Sequence, residues 1–306
     1  MRISTAQLHE QGLLAMLDRQ EELAVTQQQL ATGKRILAPS DDALGTTQVL
    51  ALQQVIDSHL QFARNTDAAE TRLEQEEASI THVVDVLQRV HELAVRATSS
   101  TLNAQSRATL APEVRQLLDN LLGIANTQDA NSEYLFAGFN VGTVPFAAVE
   151  NPVGSGLYDY NYTGDQGQRS IQIGTTRQIA VGDPGDDVFV DVPITGGGTR
   201  SIFETLEQFA LDLESNTPSA NAAADLQLAM GHLGNFLSAV GGRLNAIDSQ
   251  KLLNSDIVFQ GQKTLSDVQD LDFAEAISRM NRQLTSLEAS QQSFAKVQSL
   301  SLFSYL

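Results

Sequence analysis

From Thr46 to Ser99 the chain runs without a proline, and Leu73, Ile80, Leu87 and Ala94 recur seven residues apart, with Val83, Val90 and Ala97 offset by three. Apolar residues at that spacing form one stripe along an α-helix. At about 1.5 Å per residue an unbroken helix of this length reaches on the order of 80 Å, well beyond the radius of a compact domain. A chain obliged to accommodate such an element is predicted to be mainly α, an elongated rod of long antiparallel helices.

Both ends carry a related but more polar pattern. Leu13, Leu17, Leu23 and Leu30 recur near helical spacing among Gln20, Gln27, Gln28 and Gln29. At the other end, steps of three and four from Phe273 meet Ile277, Met280, Leu284, Leu287, Gln291, Phe294 and Gln298, and the stretch closes on Leu300, Leu302, Phe303 and Leu306. This is a seam of coiled-coil type with glutamines set into it. Glutamine weakens such packing relative to Leu or Ile and offers directional hydrogen bonds in exchange. Residues 1–44 and 265–306 are therefore expected to be assembly helices, marginal in the isolated monomer and ordered when another surface covers them.

Between these ends the helical texture is interrupted at readable points. Gly33 can end a helix, Pro39 forces its predecessor out of the helical region, and Ser40, Asp41 or Asp42 can cap the helix that follows. A polar joint at Ser99 to Ser106 leads into a return helix with Leu110, Val114, Leu117, Leu121 and Ile124 on one face. Pro112 stands either in its first turn or at a kink. Helices resume at Ser201, break at Pro218 and continue from about Ala220 to Gln260, with a final seam from near Thr264. Residues 45–140 and 201–264 thus read as a central helical rod. The intervening residues 141–200 are rich in Gly, Pro, Asp and Val, and LYDYNYTG, RSIQIG, RQIAVG and VFVDVPI alternate or run apolar between turns, so a small inserted β-rich outer domain is expected there.

Chemistry-bearing clusters are sparse. The formal charge of -18 would repel nucleic acid and anionic lipid, and no apolar run is long enough to span a bilayer. With no cysteine there is no thiolate nucleophile or thiolate metal site, and the five histidines are scattered. No cofactor is implied. Asp41 and Asp42 before a helix read as a cap more readily than as an acid–base pair. Asp183, Asp186, Asp187 and Asp191 read as turn residues before calcium ligands, and Gly196 to Thr199 as a flexible link without the lysine of a phosphate loop. Tyr158, Tyr160 and Tyr162 share one strand face, which more often packs its own core than binds a ligand.

Three stretches resemble the hook-associated protein 3 family of bacterial flagella. They are ATGKRILAPSDD (31–42), YLFAGF (134–139) and the closing DFAEAISRMNRQLTSLEASQQSFAKVQSLSLFSYL (272–306). The ending is similar to that family's and unlike that of flagellin. The front loop, with Ala43 after the paired aspartates, is closer to flagellin, so a flagellin-type filament subunit is the alternative. An adhesive protein acting through residues 141–200 is a more distant one.

The resemblance implies a structural subunit and not an enzyme. It would form the junction between hook and filament, be secreted by the flagellar type III route without a cleaved signal peptide, and assemble with itself into a ring or tube. Its neighbours would be a second hook-associated junction protein and flagellin, with an export chaperone on the carboxyl-terminal helix beforehand. Gly33, Lys34, Arg35, Pro39, Ser40, Asp41 and Asp42 would form a signature loop, tilted by the resemblance toward intersubunit contact.

Overall fold

The computed structural model describes residues 5–99, 102–153 and 156–299. The cluster Leu300, Leu302, Phe303 and Leu306 lies outside them. Seven α-helices are present among the described residues: α1 (Thr5–Thr32), α2 (Ala43–Ala97), α3 (Ala104–Ala108), α4 (Ala111–Ala125), α5 (Ile202–Glu214), α6 (Ala222–Gln269) and α7 (Phe273–Ser299). Six short strands fall between α4 and α5: β1 (Phe146–Glu150), β2 (Tyr158–Tyr162), β3 (Ser170–Gln172), β4 (Gln178–Ala180), β5 (Val192–Pro193) and β6 (Thr199–Arg200). The chain divides into two compact units, one made from the sequence up to Ser58 and from Asp256 onward, the other from His59–Ser255. None of the described helices is long and apolar enough to cross a membrane.

The apolar stripe of α2 is the core of the second unit. Leu73, Ile80, Val83, Leu87, Val90, Ala94 and Ala97 are all buried, the last six against Val114, Leu118 and Leu121 of α4 and Phe203, Leu206 and Phe209 of α5. Pro112 occupies the first turn of α4, where a missing N–H costs nothing, and so begins the helix. The polar joint ahead of it contains the short α3, whose cap is Asn103, accepting from Ser106 N–H at 2.8 Å. Ser201 caps α5 through Phe203 N–H at 3.2 Å. Helix α6 continues through Gln269, past the expected Gln260, so α7 starts at Phe273 and not near Thr264.

The β region is three separate two-stranded antiparallel ladders, β1–β2, β3–β4 and β5–β6. In the first, Phe146 stands opposite Tyr162 and Ala148 opposite Tyr160. Two of the three tyrosines pack inward, Tyr160 stacking on Phe203 at 5.3 Å and Tyr162 tilted against Phe146 at 5.2 Å, while Tyr158 is exposed. VFVDVPI needs correction as a strand. Its first half belongs to a wide helical turn, Asp186–Val190, closed by Asp191 N–H donating to Asp186 O at 3.0 Å, with Val188 and Phe189 buried. A short apolar run is equally compatible with a buried strand and a buried turn, so periodicity could not separate them. Gly196, Gly197 and Gly198 have φ of 97, 95 and 91°, and they close the β5–β6 hairpin where a side chain would be strained.

Candidate assembly site

Helices α1 and α7 form an antiparallel pair in the first unit. Three pairs of positions fix its direction. Gly12 lies against Phe294, Arg279 donates to Gln29 Oε1 at 2.9 Å, and Gly33 lies against Phe273. A Cβ at Gly12 would stand 3.2 Å from the Phe294 ring, so the helices approach closely there.

The predicted stripe on α7 resolves into two rows. Met280, Leu287 and Phe294, seven apart, are half-buried, whereas Ile277, Leu284 and Gln291, also seven apart, are exposed. The first row shares the buried side of the helix with the buried Ala276 and the half-buried Gln283 and Ser290. On α1 the less exposed positions are Gly12, Met16, Leu23, Thr26, Gln29 and Leu30, of which Leu23 and Thr26 are buried. Predicted seam residues Leu13 and Leu17 are instead 45% and 48% exposed, beside Ile277 at 47% and Leu284 at 38%. Leu13, Leu17, Ile277 and Leu284 each follow a seam residue by one position. In an antiparallel pair of right-handed helices, residues one step past the seam turn to the same side on both partners. The pair therefore carries an apolar flank of four half-exposed side chains. The opposite flank is a groove of about 570 Å³ that includes Asp18, Glu21, Glu22 and Val25. Gln283 Oε1 is buried beside this groove with no hydrogen-bond partner among the described residues.

The loop after α1 clamps the α6–α7 connection. Gly33, at φ 70°, ends α1 with its N–H donating to Gln29 O at 2.8 Å, and its carbonyl accepts from Leu271 N–H at 2.9 Å. Lys34 bridges Asp270 through the backbone, and Arg35 N–H donates to Gln269 O at 2.7 Å. The Arg35 guanidinium adds a bond to Val268 O at 2.9 Å and a contact to Asp42 Oδ2 at 3.2 Å.

Both aspartates serve the backbone. Asp41 Oδ2 accepts from Ala38 N–H at 2.9 Å and Leu37 N–H at 3.0 Å, and Asp42 Oδ1 caps α2 by accepting from Gly45 N–H at 2.8 Å. Those N–H donors, with Arg35 second for Asp42, hold both carboxyls below the usual carboxylate range. Pro39 and Ser40 are exposed.

Two members of this clamp were missed by sequence reasoning. Ile36 is buried, and it packs where a Cβ on Gly45 would fall, 2.6 Å from Ile36 Cδ1. The visible signal was a glycine inside the first turn of a helix, a costly choice unless something approaches closely. Exposed Leu44, Leu50 and Phe259 in the same unit were also missed, since they belong to none of the periodic stripes.

Known proteins are similar to this chain. The family model described as bacterial flagellin N-terminal helical region matches residues 3–141. Flagellar hook-associated protein 3 of Escherichia coli K12 is 29% identical over 99% of both chains, and that of Salmonella typhimurium LT2 is 28% identical over 99% of both. The chain is thus similar over its whole length to flagellar hook-associated protein 3, and over residues 3–141 to the N-terminal helical region of bacterial flagellins. The fold is also that of the crystal structure of hook-associated protein 3 from Legionella pneumophila, with a TM-score of 0.66 at 21% identity over 72% of this chain and 98% of that one.

Proposed function

We propose that this chain is a structural subunit of the bacterial flagellum that forms the junction between hook and filament. In this reading it assembles with itself into a ring or tube through α1 and α7. The carrying observation is likeness to hook-associated protein 3 across 99% of both chains, where the flagellin model extends only over residues 3–141. The apolar flank of the α1–α7 pair supports it physically, because four half-exposed aliphatic side chains aligned on a pair of helices are better covered than wet.

In this account Leu13, Leu17, Ile277 and Leu284 are contacts between copies. Leu23, Leu30, Met280, Leu287 and Phe294 hold α1 to α7, and Gln291 lies in the outward row. Residues 1–44 and 265–306 act as assembly helices, 45–140 and 201–264 as the central helical body, and 141–200 as the outer β-rich part. The signature loop sets the joint between α1 and α2 on one side and between α6 and α7 on the other. No reaction is assigned. Export by the flagellar type III route, a chaperone on the carboxyl-terminal helix, and neighbours of the hook-associated and flagellin kinds complete the reading.

The test is a strain whose only copy carries Ile277→Asp with Leu284→Asp. Loss of attached filaments, with the secreted chain still helical, is expected. Normal filaments and motility would refute the assignment, and growth of long filaments by the purified chain alone would favour a flagellin.

A further inference from the structure

The second unit contains a buried carboxyl that the assembly reading does not use. Glu76, on α2, is 1% exposed. Its Oε1 accepts the Asp183 N–H at 2.8 Å, and its Oε2 has no donor among the described residues. The Asp183 carboxylate is committed elsewhere. It takes both terminal nitrogens of Arg243, on α6, at 2.9 and 2.8 Å, and the Gln168 amide at 2.7 Å.

The remaining charges around the cluster are paired as well. Arg72, one turn before Glu76, binds Asp129 at 3.0 Å and Glu133 at 3.4 Å, and Arg169 binds Glu133 at 2.5 Å. Three guanidinium groups (Arg72, Arg169, Arg243) thus balance three carboxylates (Asp129, Glu133, Asp183). Glu76 is the fourth carboxyl, and among the described residues no cation bonds it: Arg243 acts on it only through its charge while bonded to Asp183. A buried carboxylate with no bonded cation and one oxygen undonated takes up a proton instead of staying charged. Burial first, and Asp183 second, push the Glu76 carboxyl up to about 8.

We propose that Glu76 is a proton switch in the second unit: protonated, it closes the cluster that ties α2 to Asp183 and α6, and its ionisation opens that tie and loosens the neighbouring β3–β4 hairpin. The folded chain binds this proton more tightly than the unfolded chain, whose carboxyl titrates near 4.5. Stability from Glu76 is therefore full below that value and lost as pH rises from there to about 8. Across that window the difference in proton affinity is on the order of a thousandfold.

Glu76→Gln keeps the shape, cannot ionise and places an amide N–H where Oε2 lacks a donor. Thermal unfolding of the full chain from pH 5 to 9 is expected to show a wild-type midpoint that falls relative to the variant as pH rises, with the variant at least as stable at pH 8.5. Hydrogen exchange of the Ile171 and Ile179 amides, corrected for the intrinsic pH effect, is expected to accelerate at least tenfold between pH 7 and 9 in the wild type only. A variant reproducing the wild-type pH dependence would overturn the proposal. Should the variant not fold, a carbon-13 titration of the wild-type chain decides: a Glu76 carboxyl midpoint in the ordinary range of glutamate overturns it, and a midpoint above 7 supports it.

Discussion

Leu284 and Leu287 are one turn apart on α7, yet they should fail differently when replaced by aspartate. Leu284 is 38% exposed in the single chain and follows the seam, whereas Leu287 is half-buried in the row that faces α1. Fully burying such a side chain is worth about 1.5–3 kcal/mol, so covering the exposed remainder of Leu284 in a neighbouring copy contributes ~1 kcal/mol. Leu284→Asp forfeits that and also asks a carboxylate to enter an apolar contact, which adds at least ~2 kcal/mol. The combined ~3 kcal/mol weakens each copy-to-copy contact by about a hundredfold.

Leu287→Asp instead puts the charge between α1 and α7 and should cost the monomer about 2 kcal/mol of local stability. Far-UV circular dichroism of the purified chain and sedimentation velocity separate the two effects. Leu284→Asp should keep its helix content and lose assembly; Leu287→Asp should lose helix content first. Unchanged assembly in Leu284→Asp, or equal loss of helix in both, would refute the division of α7 into an inward and an outward row.

Other substitutions address the loop and the core. Gly45→Ala drives a methyl into Ile36 and Asp42 and is expected to destabilise the first unit by about 1–3 kcal/mol, seen as a lowered unfolding midpoint. Asp42→Ala removes the cap of α2 and should lower the unfolding midpoint in the same measurement. Because backbone donors lower the Asp41 and Asp42 carboxyls in the folded loop, their contribution is present at neutral pH and lost as acid takes the solution below 3.8, opposite in sign to Glu76. An Asp41→Asn variant should flatten that acid limb in a pH denaturation series. Phe203→Ala, which empties a fully buried site touching Phe146, Tyr160 and Phe189, should cost about 3–5 kcal/mol in denaturant unfolding of the second unit.

Long-range periodicity made most of the helical fold legible. The proline-free run from Thr46, with the stripe from Leu73, set the length of α2, and Asp42, Ser201 and Pro112 each act at the helix start where their local chemistry suits them. The closing stripe was legible as a helix but not as a seam. Reading bulky residues at steps of three and four picked Ile277 and Leu284 together with Met280 and Leu287, while the buried side also uses Ala276, Gln283 and Ser290, which no hydrophobic pattern marks. The β region was legible as extended and Gly-rich. Its division into three ladders depends on contacts with the helices that no local pattern encodes, as the packing of Tyr160 on Phe203 of α5 and of Ile173 and Ile179 with Leu73 of α2 shows. The Glu76 cluster was invisible, since its members are spread from Arg72 to Arg243 and only folding brings three arginines to four carboxyls.

The central claim is that the apolar flank of α1 and α7 is covered by other copies in the flagellum. The chain has no cysteine, so Leu284→Cys supplies a single thiol. Maleimide labelling of that thiol should be rapid in the purified monomer and at least tenfold slower in isolated flagella that contain the chain. Equal labelling in both would contradict the account.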